Sequence, residues 1–110
     1  MVSIKYYMGK DGKSPFKEWI GKLKDERAIA KIKVRIGRLR EGNKGNCRSV
    51  GEGVQELRLM YGPGYRIYFG ELGKEKVLLL CAGDKQNVKS QNKAVAKAKK
   101  YFADYKKSNK

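Results

Sequence analysis

Residues 56–69, ELRLMYGPGYRIYF, form two strand-like runs on either side of a Gly-Pro-Gly turn at 62–64. A turn this short requires the two strands to be antiparallel neighbours. Counting outward from a three-residue turn places Arg58 opposite Tyr68. The segment therefore predicts a β-hairpin, and it restricts the rest of the chain to folds that can bury one face of that hairpin.

The two faces of this hairpin differ in chemistry because side chains alternate along a strand. One face carries Leu57, Leu59, Ile67 and Phe69 and is expected to be core. The other carries Glu56, Arg58, Met60, Arg66 and Tyr68, with Met60 opposite Arg66, and we expect a cationic platform there. Charged residues on a solvated face of an antiparallel sheet are also common without any function.

The remaining pattern predicts an α+β fold with one domain, residues 1–110, because a chain of this length can bury one core. A four-stranded antiparallel sheet is expected, with an N-terminal helical hairpin and a C-terminal helix in the order β-α-α-β-β-β-α. Ser14 is the expected N-cap of the first helix, with Pro15 at its first position. The other predicted elements are strands at 2–7, 54–61, 65–71 and 76–82, helices at 26–41 and 91–106, and a glycine-rich connecting loop at 42–53.

The net charge of +16, from 27 Lys and Arg against 11 Asp and Glu, favours a polyanionic partner. Nucleic acid and an acidic membrane surface both fit. The longest apolar run, 77–82, is too short to cross a bilayer, and the N-terminus lacks a signal-peptide pattern, so a cytoplasmic protein is expected. Cys81 is expected in the core and Cys47 as a free surface thiol. With no histidine, no metal or cofactor is expected.

Two segments carry a resemblance to a known family. FKEWIGKLKDERAIAKIKVRIGRLREGNKGNCRSVGEGVQELRLMYGPGYRIYF and VLLLCAGDK resemble the RelE/ParE toxin superfamily, in the HigB-like branch of addiction-module killer proteins. The resemblance implies a microbial-RNase-like fold. It also implies the toxin of a type II toxin–antitoxin system, an mRNA endoribonuclease that acts in the ribosomal A site. The implied partners are mRNA, the ribosome and an antitoxin encoded beside the toxin, with an acidic segment and a DNA-binding helix-turn-helix domain.

The resemblance also implies functional residues. Arg66 matches the arginine that contacts the scissile phosphate, while Arg58 and Lys85 match basic positions and Glu56 stands where some relatives carry lysine. Gln91 matches a glutamine of the family. The chain departs from the family pattern at 86–88, which looks like an insertion, and at Ala94, which replaces an acid. Tyr68, Lys93 and Lys97 complete the predicted RNA-binding set, although the two lysines also fit a solvated helix face.

RNA supplies its own nucleophile, the 2′-OH, so the protein must accept a proton, stabilise charge and protonate the leaving oxygen. Arg66 is the expected stabiliser of transition-state charge, assisted by Arg58 and Lys85, and either Glu56 or Lys85 is the expected base. This chemistry requires no metal. The alternatives are a ParE-like inhibitor of DNA gyrase, which shares the fold, and an RNA- or ribosome-binding homologue with impaired catalysis.

Overall fold

The computed structural model describes residues 1–84 and 88–108, and within these ranges the chain forms a mixed α+β fold with one five-stranded sheet and three helices. The elements are β1 (Ser3–Tyr6), α1 (Pro15–Lys22), α2 (Glu26–Arg40), β2 (Cys47–Gly51), β3 (Val54–Leu59), β4 (Tyr65–Leu72), β5 (Lys76–Asp84) and α3 (Val88–Ser108). The strand order across the sheet is β1-β5-β4-β3-β2.

The α+β class is confirmed, but the prediction of a four-stranded antiparallel sheet is wrong in two respects. The segment 42–53, predicted as a loop, contains β2, which pairs antiparallel with β3 and places Arg48 opposite Glu56. β1 pairs with β5 in parallel, with Ser3 opposite Lys76. β2 was not predicted because the glycine-rich segment 42–53 has a low strand propensity. As an edge strand, β2 is stabilised by its pairing with β3 rather than by that propensity.

The helix boundaries follow local capping chemistry. Ser14 Oγ accepts a hydrogen bond from the backbone N–H of Lys17, and Pro15 is the first residue of α1, as predicted. The carboxylate of Asp25 caps α2 in the same way. Gly42 lies beyond the end of α2 with a φ of 89°, in the left-handed region that commonly ends a helix. α3 begins before the predicted position 91 and extends past 106.

Apolar side chains cover both faces of the sheet. α1 and α2 pack on one face, which contains the predicted core residues Leu57, Leu59, Ile67 and Phe69. α3 packs on the other face through Ala98 and Phe102, against a set of buried sheet residues: Val54, Tyr68, Leu78, Leu80 and Cys81. The predicted apolar face of the hairpin is thus confirmed. The prediction that the opposite face is an open platform is wrong, because α3 covers much of it.

The register of the hairpin differs from the predicted one by two residues. Arg58 lies directly opposite Arg66, and Glu56 lies opposite Tyr68. β3 ends at Leu59, so the connection has five residues, 60–64, instead of three. Tyr61 leaves the ladder to pack against the α1–α2 side of the core. A shift of two residues preserves the face of every side chain, so Arg58 and Arg66 remain on one side of the sheet.

A β-bulge interrupts the pairing of β4 with β5. Tyr68 lies opposite Cys81, whereas the next residue of β4, Phe69, lies opposite Leu79. Side chains of a strand alternate between the two faces of the sheet, and the extra residue shifts this alternation by one position. The bulge therefore changes which side chains of β5 face α3. Gly83 consequently lies opposite Arg66 and on the same face. No described side chain lies within 4 Å of the position that a Cβ on Gly83 would take, so nothing among the described residues fills the space beside Arg66 on this side.

Gly70 of β4 makes a close contact with α3, and its replacement by alanine is expected to lower the free energy of unfolding by about 1–3 kcal/mol. A Cβ at this position would lie 2.5 Å from Cε1 of Phe102, a buried ring that has little room to move. Urea denaturation of the variant provides the measurement. Gly37→Ala in α2 is the control: its Cβ would meet no described atom within 4 Å, and alanine in a helix is favoured by about 0.5–1 kcal/mol. Equal stability of Gly70→Ala and the parent would contradict the proposed packing of α3.

Candidate functional site

A cavity of about 380 Å³ lies between the β4–β5 region of the sheet and α3. We call it the central cavity. The sheet side contributes Arg66, Tyr68, Cys81, Ala82, Gly83 and Asp84, the helix side contributes Ser90, Gln91, Lys93, Ala94, Lys97 and Tyr101, and Pro15 completes the lining. Five residues that the sequence singled out therefore meet here: Arg66, Tyr68, Gln91, Lys93 and Lys97.

The described lining of the central cavity is cationic. Arg66, Lys93 and Lys97 contribute three positive charges, and Asp84 contributes one negative charge. The lysines lie one helical turn apart on α3, so their side chains share a face of that helix. Cations on two sides of an enclosed space raise the local concentration of anions above that of an open surface. The central cavity is therefore suited to an anionic ligand such as a phosphodiester.

A buried carboxylate, Glu56, lies beside the central cavity and organises the arginines of the hairpin. Its Oε1 accepts hydrogen bonds from Nε of Arg48 at 3.0 Å and Nε of Arg58 at 3.1 Å. Nε of Arg66 lies 3.7 Å from the same oxygen, and the hydroxyl of Tyr68 donates to Oε2 at 3.1 Å. We call these five residues the Glu56 cluster.

The environment of Glu56 corrects its predicted role as a general base. Burial acts to raise the pKa of this carboxyl, but the hydrogen bonds from Arg58, Arg48 and Tyr68 outweigh it, so the pKa lies below its ordinary value. The side chain is 1% exposed and does not line the central cavity. A carboxylate with a lowered pKa and with both oxygens bonded is a poor proton acceptor for a substrate. Glu56 instead acts as the counter-charge of the arginines.

Arg66 has unused hydrogen-bonding capacity. A guanidinium carries five N–H donors. Within the described residues, the guanidinium of Arg66 donates one hydrogen bond. It is long, at 3.4 Å from Nη1 to the carbonyl oxygen of Tyr65. Nε is buried and has no hydrogen-bond partner among them. Its side chain is 5% exposed, so this charge is held out of water with few acceptors. Buried polar atoms without a hydrogen-bond partner are uncommon in folded proteins, and a functional role is one explanation for them.

Arg58 shares the face of Arg66 but faces a different environment. Its Nε bonds Glu56, and its backbone carbonyl accepts a hydrogen bond of 2.7 Å from Nη1 of Arg35. Arg58 does not line the central cavity. The two arginines that the sequence expected to meet at one open spot therefore converge on Glu56, and of the two only Arg66 also reaches the cavity.

Two further predictions concern residues on either side of the central cavity. Tyr68 lines it but is fully buried, with its hydroxyl bonded to Glu56. The predicted stacking of a base on this ring stays a prediction, and the complete burial of the side chain argues against it. Lys85 and the first two positions of the predicted 86–88 insertion lie outside the described residues. Ala94, the predicted replacement of an acid, lines the cavity.

Sequence reasoning missed Asp84 and Tyr101 as members of the site. Asp84 is the last residue of β5 and lines the central cavity. It belongs to the AGDK sequence that carries the family resemblance, but no function was predicted for its carboxylate. Tyr101 lies one turn after Lys97 on α3, a spacing that could have identified it. Its ring stacks on Tyr7 with centroids 4.8 Å apart. Burial, followed by the nearby Cys81, raises the pKa of the Tyr101 hydroxyl, so this group remains protonated at neutral pH.

The two cysteines do not supply a reactive group to the central cavity. Cys81 is buried as predicted, and burial raises the pKa of its thiol to about 12 although the charge of Lys97 acts in the opposite direction. Cys47 is a free thiol, half-buried on β2, with a raised pKa caused first by burial. Thiols at neutral pH are weak nucleophiles.

Two properties of the described residues bear on other classes of function. Residues 1–84 and 88–108 contain no group of three or more Cys, Asp or Glu side chains arranged to hold a metal ion. Within the same ranges, none of the helices combines the length and apolar character that a membrane span requires.

Comparison with known proteins identifies the family of the chain. The family model described as "Phage derived protein Gp49-like (DUF891)" matches residues 18–103. A protein of Haemophilus influenzae (strain ATCC 51907 / DSM 11121 / KW20 / Rd), described as an uncharacterized protein, is 46% identical over 84 residues. That similarity covers 76% of this chain and 82% of the relative. The family match includes every residue of the Glu56 cluster and all of the central cavity except Pro15.

Proposed function

The chain belongs to the Gp49-like family of phage-derived proteins, a RelE-like family of toxins of the toxin–antitoxin type, and we propose that it is an endoribonuclease that stops translation. In this proposal it belongs to the HigB-like branch and cleaves mRNA in the ribosomal A site. The bacterial cytoplasm is the proposed location. An antitoxin with an acidic segment and a helix-turn-helix domain is the proposed inhibitor, since the charge of +16 favours an acidic partner.

The geometry of Arg66 is the observation that supports this proposal. Its guanidinium is held at the edge of a cationic cavity with most of its donors uncommitted to described residues. A phosphodiester oxygen would supply the missing acceptors, and the planar fork of arginine matches phosphate geometry. Lys93 and Lys97, across the central cavity, would bind neighbouring phosphates of the same strand.

The proposed reaction is an internal transesterification. The 2′-oxygen of a ribose attacks the adjacent phosphorus, so that a bond from the 2′-oxygen to phosphorus forms and the bond to the 5′-oxygen breaks. The products are a 2′,3′-cyclic phosphate and a 5′-hydroxyl. Arg66 stabilises the negative charge that develops on the non-bridging oxygens, as preorganised donors do in other enzymes.

Two protons must move in this reaction, and the central cavity offers groups for both. The hydroxyl of Tyr101 stays protonated because its pKa is raised, so it has a proton to give to the leaving 5′-oxygen, although the same shift makes it a weaker acid. Asp84 is the carboxylate among the described lining residues and is one candidate base. Lys85, which the resemblance implies and which lies outside the described residues, is the other. Separate Asp84→Asn and Lys85→Met variants distinguish the two candidates, because loss of the true base removes the rise of cleavage rate with pH.

Primer extension on mRNA undergoing translation tests the proposed function. Purified protein is added to a reconstituted translation reaction, and new 5′ ends are mapped. Cuts within codons that require the ribosome support the proposal. Trapped gyrase–DNA complexes in a parallel assay would instead identify a ParE-like inhibitor. Ribosome binding with neither cuts nor trapped gyrase would identify a non-catalytic binder, a role that the low exposure of Arg66 also fits.

Gly83→Leu is expected to abolish RNA cleavage while leaving the fold intact. Gly83 faces Arg66 across the β4–β5 ladder and lines the central cavity. A leucine there would fill the space through which a phosphate reaches the guanidinium. Gly83→Ala is the control with a small side chain, because its Cβ meets no described atom within 4 Å. Cleavage rates and thermal midpoints of the two variants provide the measurement, and full activity of a folded Gly83→Leu would contradict the proposed route to Arg66.

A further inference from the structure

A second cavity, of about 330 Å³, lies at the β3–β4 connection. We call it the loop cavity. Its lining consists of Met60, Tyr61, Gly62, Pro63, Gly64 and Arg66. The proposed function assigns no role to these residues other than Arg66.

Arg66 is common to the loop cavity and the central cavity. A phosphate bound to this guanidinium would therefore have open space on two sides. In a single strand, each phosphate joins two nucleotides that leave it in different directions. The central cavity can take one of them, beside Lys93 and Lys97, and the loop cavity is placed to take the other.

The loop that forms this cavity is closed by its own turn. The backbone N–H of Gly64 donates to the carbonyl oxygen of Tyr61 at 2.9 Å. Gly62 and Gly64 have φ values of 57° and 84°, which favour glycine over any residue with a Cβ. The ammonium of Lys31 lies 5.1 Å from the centroid of the Tyr61 ring and holds this aromatic group against α2. The wall of the loop cavity is thus fixed before any ligand arrives.

Met60 gives the loop cavity an apolar contact that folding does not use. Its side chain is 73% exposed, although it follows directly after the buried residue Leu59. A methionine thioether is flexible and makes favourable contacts with aromatic rings. Together with Tyr61 it offers a surface on which a flat aromatic group can pack. The loop cavity contains no charged lining residue apart from Arg66, so it is suited to a base rather than to a second phosphate.

We propose that the loop cavity binds the nucleobase next to the phosphate held by Arg66, in a single strand of RNA. This inference rests on the proposed function and adds a second nucleotide site to it. Met60 and Tyr61 contact the base, and the central cavity holds the strand on the other side of Arg66. Base–aromatic stacking of this kind supports binding with modest sequence preference.

A binding assay with an uncleavable strand tests the inference. The probes are fluorescein-labelled 2′-O-methyl RNA hexamers, which lack the attacking hydroxyl. One hexamer is intact, and each of the others carries one abasic position. Fluorescence anisotropy gives the affinities. For the parent protein, one or two abasic positions are expected to weaken binding more than the rest. Tyr61→Leu, which keeps an apolar side chain at this half-buried position, is expected to weaken binding of the intact hexamer by roughly 5- to 100-fold and to remove that positional dependence.

Met60→Ser provides a second variant that does not disturb the core, and Met8→Ser, at another exposed methionine, is its matched control. Met60→Ser is expected to weaken binding in the same positional manner, and Met8→Ser is expected to bind as the parent does. Lys93→Ala/Lys97→Ala should weaken all hexamers and reduce the salt dependence. Failure of the parent to bind any hexamer would overturn this inference, whereas the proposed function is overturned only when primer extension finds no ribosome-dependent cuts. Binding that is unchanged in Tyr61→Leu and Met60→Ser would overturn this inference alone.

Discussion

Arg66→Met is expected to reduce RNA cleavage by about 100- to 1000-fold, which is the usual effect of removing one preorganised donor from a transition state. The same change is expected to leave the free energy of unfolding within about 1 kcal/mol of the parent, or to raise it. Glu56 keeps its hydrogen bonds from Arg48, Arg58 and Tyr68 after the change. Methionine removes a nearly buried charge whose Nε lacks a described partner. Cleavage of translated mRNA and urea denaturation provide the two measurements.

This combination of effects separates a functional arginine from a structural one. A side chain that served only to neutralise Glu56 would cost stability on removal and would change cleavage only through unfolding. Arg27→Met is the charge-matched control, since Arg27 is exposed on α2, and it should leave both measurements unchanged. A stable Arg66→Met protein that still cleaves at the parental rate would contradict the assigned role of Arg66.

The faces of the hairpin could be predicted from the sequence, whereas its register could not. Alternation has a period of two, so the apolar set Leu57, Leu59, Ile67 and Phe69 was assigned to the core whatever the register. The register depended on the length of the loop. Tyr61 lengthens that loop by packing against the core, a contact that local sequence does not contain.

Local sequence also could not predict that α3 covers the polar face of the hairpin. The apolar stripe of this helix, including Ala98 and Phe102, was visible as a 3.6-residue pattern. That pattern indicates that the helix packs on something, but it does not say on which face of the sheet. Because α3 lies over the face that carries Arg66, a predicted open platform is instead a cavity with two walls.

The membership of the site could be predicted in part. Gln91, Lys93 and Lys97 were singled out and do line the central cavity with Arg66; their roles remain predictions. The buried position of Glu56 could not be inferred, because β2 was not recognised and Arg48, which β2 carries, is one of its partners. A glutamate with several arginine neighbours can be a surface residue or an organising carboxylate, and only its burial distinguishes the two.

Glu56→Gln is expected to lower the free energy of unfolding by about 3 kcal/mol at neutral pH, because it leaves the nearly buried Arg66 without its counter-charge. The variant keeps the size of the side chain and one carbonyl acceptor, so the loss reports mainly on charge. For a domain of this size the thermal midpoint should fall by roughly 12–24 °C. Thermal and urea denaturation provide the measurement. Glu75→Gln, at an exposed position in the β4–β5 turn, is the control and should be close to neutral.

The dependence of this loss on pH follows from the lowered pKa of Glu56 in the folded protein. The unfolded chain, in which a glutamate has a pKa of about 4.3, takes up a proton at a higher pH than the folded chain does. The stabilisation by Glu56 is therefore complete above that value and is lost as the pH falls through the lower folded pKa. The difference in stability between the parent and Glu56→Gln should accordingly be constant near neutrality and should shrink below about pH 4. A difference that stays constant down to pH 3 would show that the ionised carboxylate is not what holds the three arginines together.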